Sequence, residues 1–152
     1  MTIEANKAVV RRLHDVWNTG DLSQITEIFH ADFAGHWPRS SRLPERRGLD
    51  DVRAGITATR TAFPDWYEDV VDMIAEGDRV VTRYVSTGTH RGETWGIAPT
   101  GKRLTLHEIS IYRIADGKVI EQWCAIDELD RLQQLGVLPP RPRTTVATGD
   151  AQ

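Results

Sequence analysis

The stretch that decides the fold runs from Tyr67 to Asp127, YEDVVDMIAEGDRVVTRYVSTGTHRGETWGIAPTGKRLTLHEISIYRIADGKVIEQWCAID. Four segments within it, Tyr67 to Ala75, Arg79 to Thr89, Arg103 to Ile114 and Val119 to Asp127, are rich in Val, Ile, Thr and aromatic residues, and Gly-containing connections separate them. The connections EGD and ADG are short enough only for antiparallel neighbours. The third, GETWGIAPTG, is long enough to reach over a pocket mouth. The reading is a four-stranded meander.

Upstream, the pattern changes to a helical period. Ala5, Val9, Leu13 and Val16/Trp17 predict a helix from Ile3 to Trp17, stopped by Asn18-Thr19-Gly20. Asp21 is placed to cap a second helix carrying Leu22, Ile25, Ile28 and Phe29. A short strand is expected around Phe33 to Trp37, followed by an exposed arginine-rich loop. Asp50 and Asp51 then suit the first turn of a third helix, which Pro64 ends after Phe63. A last short helix carries Leu129, Leu132 and Leu135 and ends at Gly136. Helices followed by a run of strands predict an α+β fold, a curved antiparallel sheet wrapped around about three N-terminal helices as a cone-shaped barrel with one internal pocket. Residues 1–138 read as one domain, and 139–152, polar and rich in proline at its start, as a flexible tail.

Length and composition set the outer bounds. A chain of 152 residues can bury roughly two thirds of its unfolded surface, enough for a core and a pocket. A net charge of -3 gives no general attraction to phosphate backbones or anionic membranes, so neither nucleic acid nor membrane is an expected partner. One cysteine, Cys124, excludes an internal disulfide. The charged start lacks a signal-peptide core, and a cytoplasmic location is expected.

The motifs WNTGDL at 17–22, FPDW at 63–66, EGDRVVTRY at 76–84, GTHRGE at 88–93, PTGK at 99–102 and YRIADGKVIEQWCAID at 112–127, followed by LQQLG, resemble the nuclear transport factor 2-like fold. Within that fold they are similar to the SnoaL-like polyketide cyclases, and the match runs from about Ala5 to Gly136. The resemblance implies an intramolecular aldol ring closure without metal or cofactor, catalysed by an aspartate on the last strand, and a homodimer or higher homo-oligomer. Asp127, four residues after Trp123, occupies the family's W-x-x-x-D position.

Read by its own chemistry, Asp127 has two possible roles. Facing the cavity beside Trp123, it would have its pKa raised into a range useful for proton transfer; at the start of the last helix, it would be an N-cap. His107 is the second catalytic candidate, and its partner depends on the hairpin register. A three-residue Ala115-Asp116-Gly117 loop puts it on the face of Trp123 and Asp127; a two-residue Asp116-Gly117 turn puts it with Ile126 instead. Trp17, Phe33, His36, Trp37, His90, Trp95 and Trp123 are the candidate contacts for a flat, conjugated carbonyl ligand, and Trp66 reads as core. His14, His36 and His90 have no metal-ligand spacing, so no metal site is expected. The alternative readings are a non-catalytic small-molecule binding protein, or an epoxide hydrolase or ketosteroid-isomerase-like enzyme on the same fold. The apolar pairs Ile109/Ile111 and Ile120/Ile126 are the candidate dimer surfaces.

Overall fold

The computed structural model describes residues 1–142. Helix α1 spans Ile3–Thr19; the Thr2 hydroxyl accepts from the Ala5 N–H at its start, and Gly20 ends it at a φ of 73°. The second helix is shorter than its pattern suggested. A one-turn 3₁₀ segment, Leu22–Gln24, capped by Asp21, leads into α2, Ile25–Ile28, and the chain becomes extended at Phe29. Phe29 is captured by the sheet: strand β1, Phe29–His36, pairs with the last strand and buries Phe29 and Phe33 edge to face, 5.1 Å apart.

After β2, Arg46–Arg47, helix α3 spans Gly48–Ala62 and stops before Pro64. The meander follows as β3 Tyr67–Glu76, β4 Arg79–Thr89, β5 Arg103–Ala115 and β6 Lys118–Ile126, each within two residues of the expected bounds. Helix α4, Glu128–Gln134, completes the order. The tail expected from 139 falls, from 143 onwards, outside the described residues.

The sheet order is β2-β1-β6-β5-β4-β3, and all pairs are antiparallel except β1 with β6. This exception corrects the expectation of a wholly antiparallel sheet. α3 and the meander separate β1 from β6, so the two strands meet through a long connection and run parallel. β2 and β3 remain open edges, so the six-stranded sheet does not close into a barrel.

Two apolar clusters fill the concave side. Val10, Leu13 and Val16 of α1 pack with Ile25, Ile28, Phe33, Val52 and Ile56 against Val80, Tyr112 and Val119. Ala62, Phe63, Leu104 and Leu135 form a second cluster, with Trp66 and Ile97 against it. Leu13 and Tyr112 from the first and Phe63 and Leu104 from the second line one cavity between them.

Candidate active site

Strand β5 supplies the cavity wall. Leu104, Leu106, Glu108, Ser110 and Tyr112 are buried in alternation with Thr105, His107, Ile109 and Ile111, which face solvent. Glu108 is the carboxylate of this inner row, 7% exposed. Its Oε2 accepts from the Tyr84 hydroxyl at 3.3 Å and from the Cys124 thiol at 3.6 Å, while its Oε1 has no hydrogen-bond partner. Burial, reinforced by the charge of Glu68, raises its pKa to about 7. Burial also pushes the Cys124 thiol up to about 12 and Tyr84 well above its usual range. A thiol held in that way is a neutral wall group, not a nucleophile.

A second polar chain crosses the cavity floor. His14 Nδ1 meets Glu68 Oε2 at 2.6 Å, and His14 Nε2 lies 3.3 Å from both the Thr82 and Tyr112 hydroxyls. Trp66 Nε1 donates to the other Glu68 oxygen, so both carboxylate oxygens are engaged. Asn18 fixes the strand beneath by bonding both the N–H and the C=O of Glu68.

The roof combines cations with tryptophans. Arg46 lies over Trp17 at 5.2 Å and Trp37 at 4.8 Å. Burial lowers its pKa, partly offset by the negative charge of Glu68 nearby. A cation on an aromatic face gains roughly 0.5–2 kcal/mol, whereas moving an ion out of water costs several. Arg46 is half-buried, so part of its hydration remains to offset that cost. Two glycines make room for this arrangement. A Cβ on Gly35 would meet the Trp37 ring at 2.8 Å, and one on Gly55 would meet Arg46 Nε at 2.6 Å. On the other side, Arg131 of α4, 2% exposed, packs 3.7 Å from the Trp95 ring centre and pairs with Glu128.

Trp95 has a φ of 50°, in the left-handed region that costs a bulky residue about 1–2 kcal/mol. With Gly96 it forms the tip of a two-residue turn closed by Thr94 and Ile97. His90 braces the base of this loop: its ring stacks on Phe63 at 5.2 Å, and its Nδ1 accepts from the Thr100 N–H. Burial lowers the His90 pKa, which favours a neutral strut.

The cavity under this roof holds about 70 Å³. Beyond Arg46, Thr59 and Trp95 lies an outer chamber of about 350 Å³ between α3 and the two loops. Ligand pockets commonly measure roughly 300–1,000 Å³, so a multi-ring ligand needs the two spaces joined.

The residues singled out in the sequence separate into three groups. Trp17, Trp37 and Trp95 line the cavity, joined by Trp66. Phe33 and His90 are buried supports. His36, His107, Trp123 and Asp127 stand on the outer side: His36 stacks on Trp123 at 5.5 Å and bonds Glu121, His107 is exposed, and Asp127 is an exposed N-cap whose Oδ1 accepts from the Asp130 N–H.

The hairpin explains this outcome. Asp116 and Gly117, with φ of 50° and 74°, form a two-residue turn in which Ala115 faces Lys118. A bulge at Ile120, absent from either register considered for the sequence, then shifts the pairing, and Ile126 faces Glu108. His107 and the W-x-x-x-D aspartate consequently lie on the convex side, while Gln122, Cys124 and Ile126 enter the cavity. Glu108, Glu68, His14 and the tyrosines were missed. The available signal was a glutamate at the inward parity set by Leu104 and Leu106.

Residues 7–135 match the family model described as SnoaL-like polyketide cyclase. The chain belongs to the SnoaL-like polyketide cyclase family. Among curated relatives, the aklanonic acid methyl ester cyclase DnrD of Streptomyces peucetius is 28% identical over 135 residues, covering 88% of this chain and 92% of that protein. AcmA of Streptomyces galilaeus, with the same activity in its name, is 27% identical over 138 residues, covering 90% and 93%. Among solved structures, AclR of S. galilaeus superposes with a TM-score of 0.79 at 34% identity, covering 93% of this chain and 87% of that one. IdmH of Streptomyces antibioticus gives 0.73 at 30%, covering 86% and 98%. These superpositions show that the solved structures share this chain's α+β fold, and among the described residues no helix is long and apolar enough to cross a membrane.

Proposed function

We propose that this SnoaL-like chain closes a ring in a conjugated carbonyl compound by an intramolecular aldol reaction in the inner cavity, with Glu108 moving the proton. The observation that carries the reading is the Glu108 carboxyl: buried, with one oxygen unengaged, and with a pKa of about 7 that suits both taking and returning a proton.

The Glu108 carboxylate removes a proton from carbon next to a carbonyl, leaving an enolate delocalised over the conjugated system. The enolate carbon attacks a second carbonyl in the same molecule, one C–C bond forms, and the resulting alkoxide takes the proton back from Glu108. Tyr84, already in hydrogen-bond contact with Glu108, is placed to donate to the oxygen that gains charge. The product is an isomer of the substrate, so the chemistry calls for no redox or metal partner. Trp17, Trp37, Trp66 and Trp95 supply flat apolar surface for the rings. A multi-ring substrate enters when Arg46 and the Trp95 loop part.

The test is incubation with aklanonic acid methyl ester, the compound in the relatives' names, followed by separation of isomers of unchanged mass. Wild type should form a cyclised isomer, and Glu108→Gln should lower the rate at least about 100-fold. Undiminished turnover in Glu108→Gln would remove Glu108 from the role; binding without product would favour a carrier. We also place the protein in the cytoplasm as a homodimer. The exposed Ile109 and Ile111 on the outer sheet face support self-association, which sedimentation velocity measures directly.

A further inference from the structure

The two arginine–tryptophan stacks at the cavity mouth differ in one respect. Arg131 has its counter-charge in Glu128. Arg46 has the faces of Trp17 and Trp37, but among the described residues no carboxylate comes within 4.0 Å of it. An aromatic ring gives a guanidinium no oxygen to bond, which leaves its N–H edge, the edge that matches a carboxylate in a two-point contact, without a charged partner. Arg46 borders both the inner cavity and the outer chamber, so that edge is reachable by a ligand occupying either. The recess that receives the guanidinium is built in, since α3 carries Gly55 where any Cβ would collide with it.

The charge layout also has a direction. The cation stands at the roof, while the cavity carboxylates, Glu108 and Glu68, lie below it on β5 and β3. An anionic group on a ligand is repelled from the depth and attracted at the mouth. We propose that Arg46 is a carboxylate-recognition residue and that the natural substrate is a free acid, held with its carboxylate at Arg46 and its reacting carbons towards Glu108. This rests on the cavity being the reaction site, and it separates the chain from relatives named for a methyl ester.

The experiment uses anthraquinone-2-carboxylate and its methyl ester as paired probes, with binding followed by quenching of tryptophan fluorescence. Three proteins are compared: wild type, Arg46→Gln and Gly55→Ala. Wild type is expected to bind the acid at least about tenfold more tightly than the ester, the strength of one charge-assisted contact. Arg46→Gln should bring the ratio close to one by weakening the acid and sparing the ester. Gly55→Ala keeps the charge but displaces the guanidinium, and should lower the ratio in a protein at least as stable, because alanine favours a helix over glycine. Equal affinity for acid and ester in wild type, or a ratio unchanged in Arg46→Gln, would overturn the assignment while leaving the cavity as the binding site. Failure of both probes to bind would overturn the cavity reading along with it.

Discussion

The two faces of the β5–β6 hairpin hold similar residues and give them opposite chemistry. On the inner face Glu108 meets Tyr84 and Cys124, Ser110 bonds Tyr84 and Gln122 beside them, and with neither a cation at hydrogen-bond distance nor solvent around the carboxyl its pKa rises to about 7. On the outer face partial burial pushes Glu121 up, but hydrogen bonds from Arg113 and His36, together with their charges, outweigh it and leave the carboxyl below the usual range. One glutamate is prepared to exchange a proton, and the other is held ionised. Sheet face, more than residue type, decides which is which.

The sharpest way to break this comparison is to neutralise each glutamate in turn. Glu108→Gln should lower turnover by about 10²–10⁴-fold, and Glu121→Gln should leave it within about twofold. Equal losses would show that the inner environment has no special role. The next largest effect concerns stability. Glu68→Gln breaks the buried contact with His14 and should cost about 3–5 kcal/mol in urea unfolding. Asp72→Asn removes the exposed partner of Arg83 and should cost less than about 1 kcal/mol.

Titration sharpens the contrast further. The folded protein holds the Glu108 proton more tightly than the unfolded chain does, so between the ordinary value of 4.5 and about 7 the folded state binds more protons. Stability from this group is complete below about 4.5 and falls as pH rises, by about 3 kcal/mol near neutrality. Glu108→Gln should flatten that part of the unfolding profile. Glu121, with its lowered pKa, contributes the opposite slope, stability lost as pH falls through its folded value. The smallest effect belongs to Asp127→Ala, expected to cost about 1 kcal/mol through loss of the N-cap with no change in rate.

Much of the architecture was legible because local chemistry and tertiary need agree. Gly20, Asp21, Pro64 and the EGD and ADG turns punctuate the chain where the elements end, and the four meander strands are rich in β-branched and aromatic residues. β1 was harder to read, because its partner lies at the far end of the sequence and runs parallel to it. The candidate site was obscured by an inversion within β5. Leu104 and Leu106 mark the inner side in the usual way, but further along Ile109 and Ile111 face solvent while Glu108 and Ser110 are buried. The rule that apolar residues point inward fails midway along the strand, where the cavity replaces the core. His107 and Asp127 attracted attention because they are the conspicuous polar residues of the region, and they are conspicuous because water surrounds them.

A β-strand can be read as a two-letter message, in and out by turns, and the bulge at Ile120 is a one-letter insertion in it. Everything downstream is in the frame that insertion sets: Gln122, Cys124 and Ile126 within, Trp123 and Ala125 without. Pair Ile120 with Arg113, so that the bulge is smoothed away, and the rest of the strand is transposed, bringing a tryptophan indole where a cysteine thiol now stands beside Glu108. The acidity of that glutamate is thus written partly by a residue that never touches it.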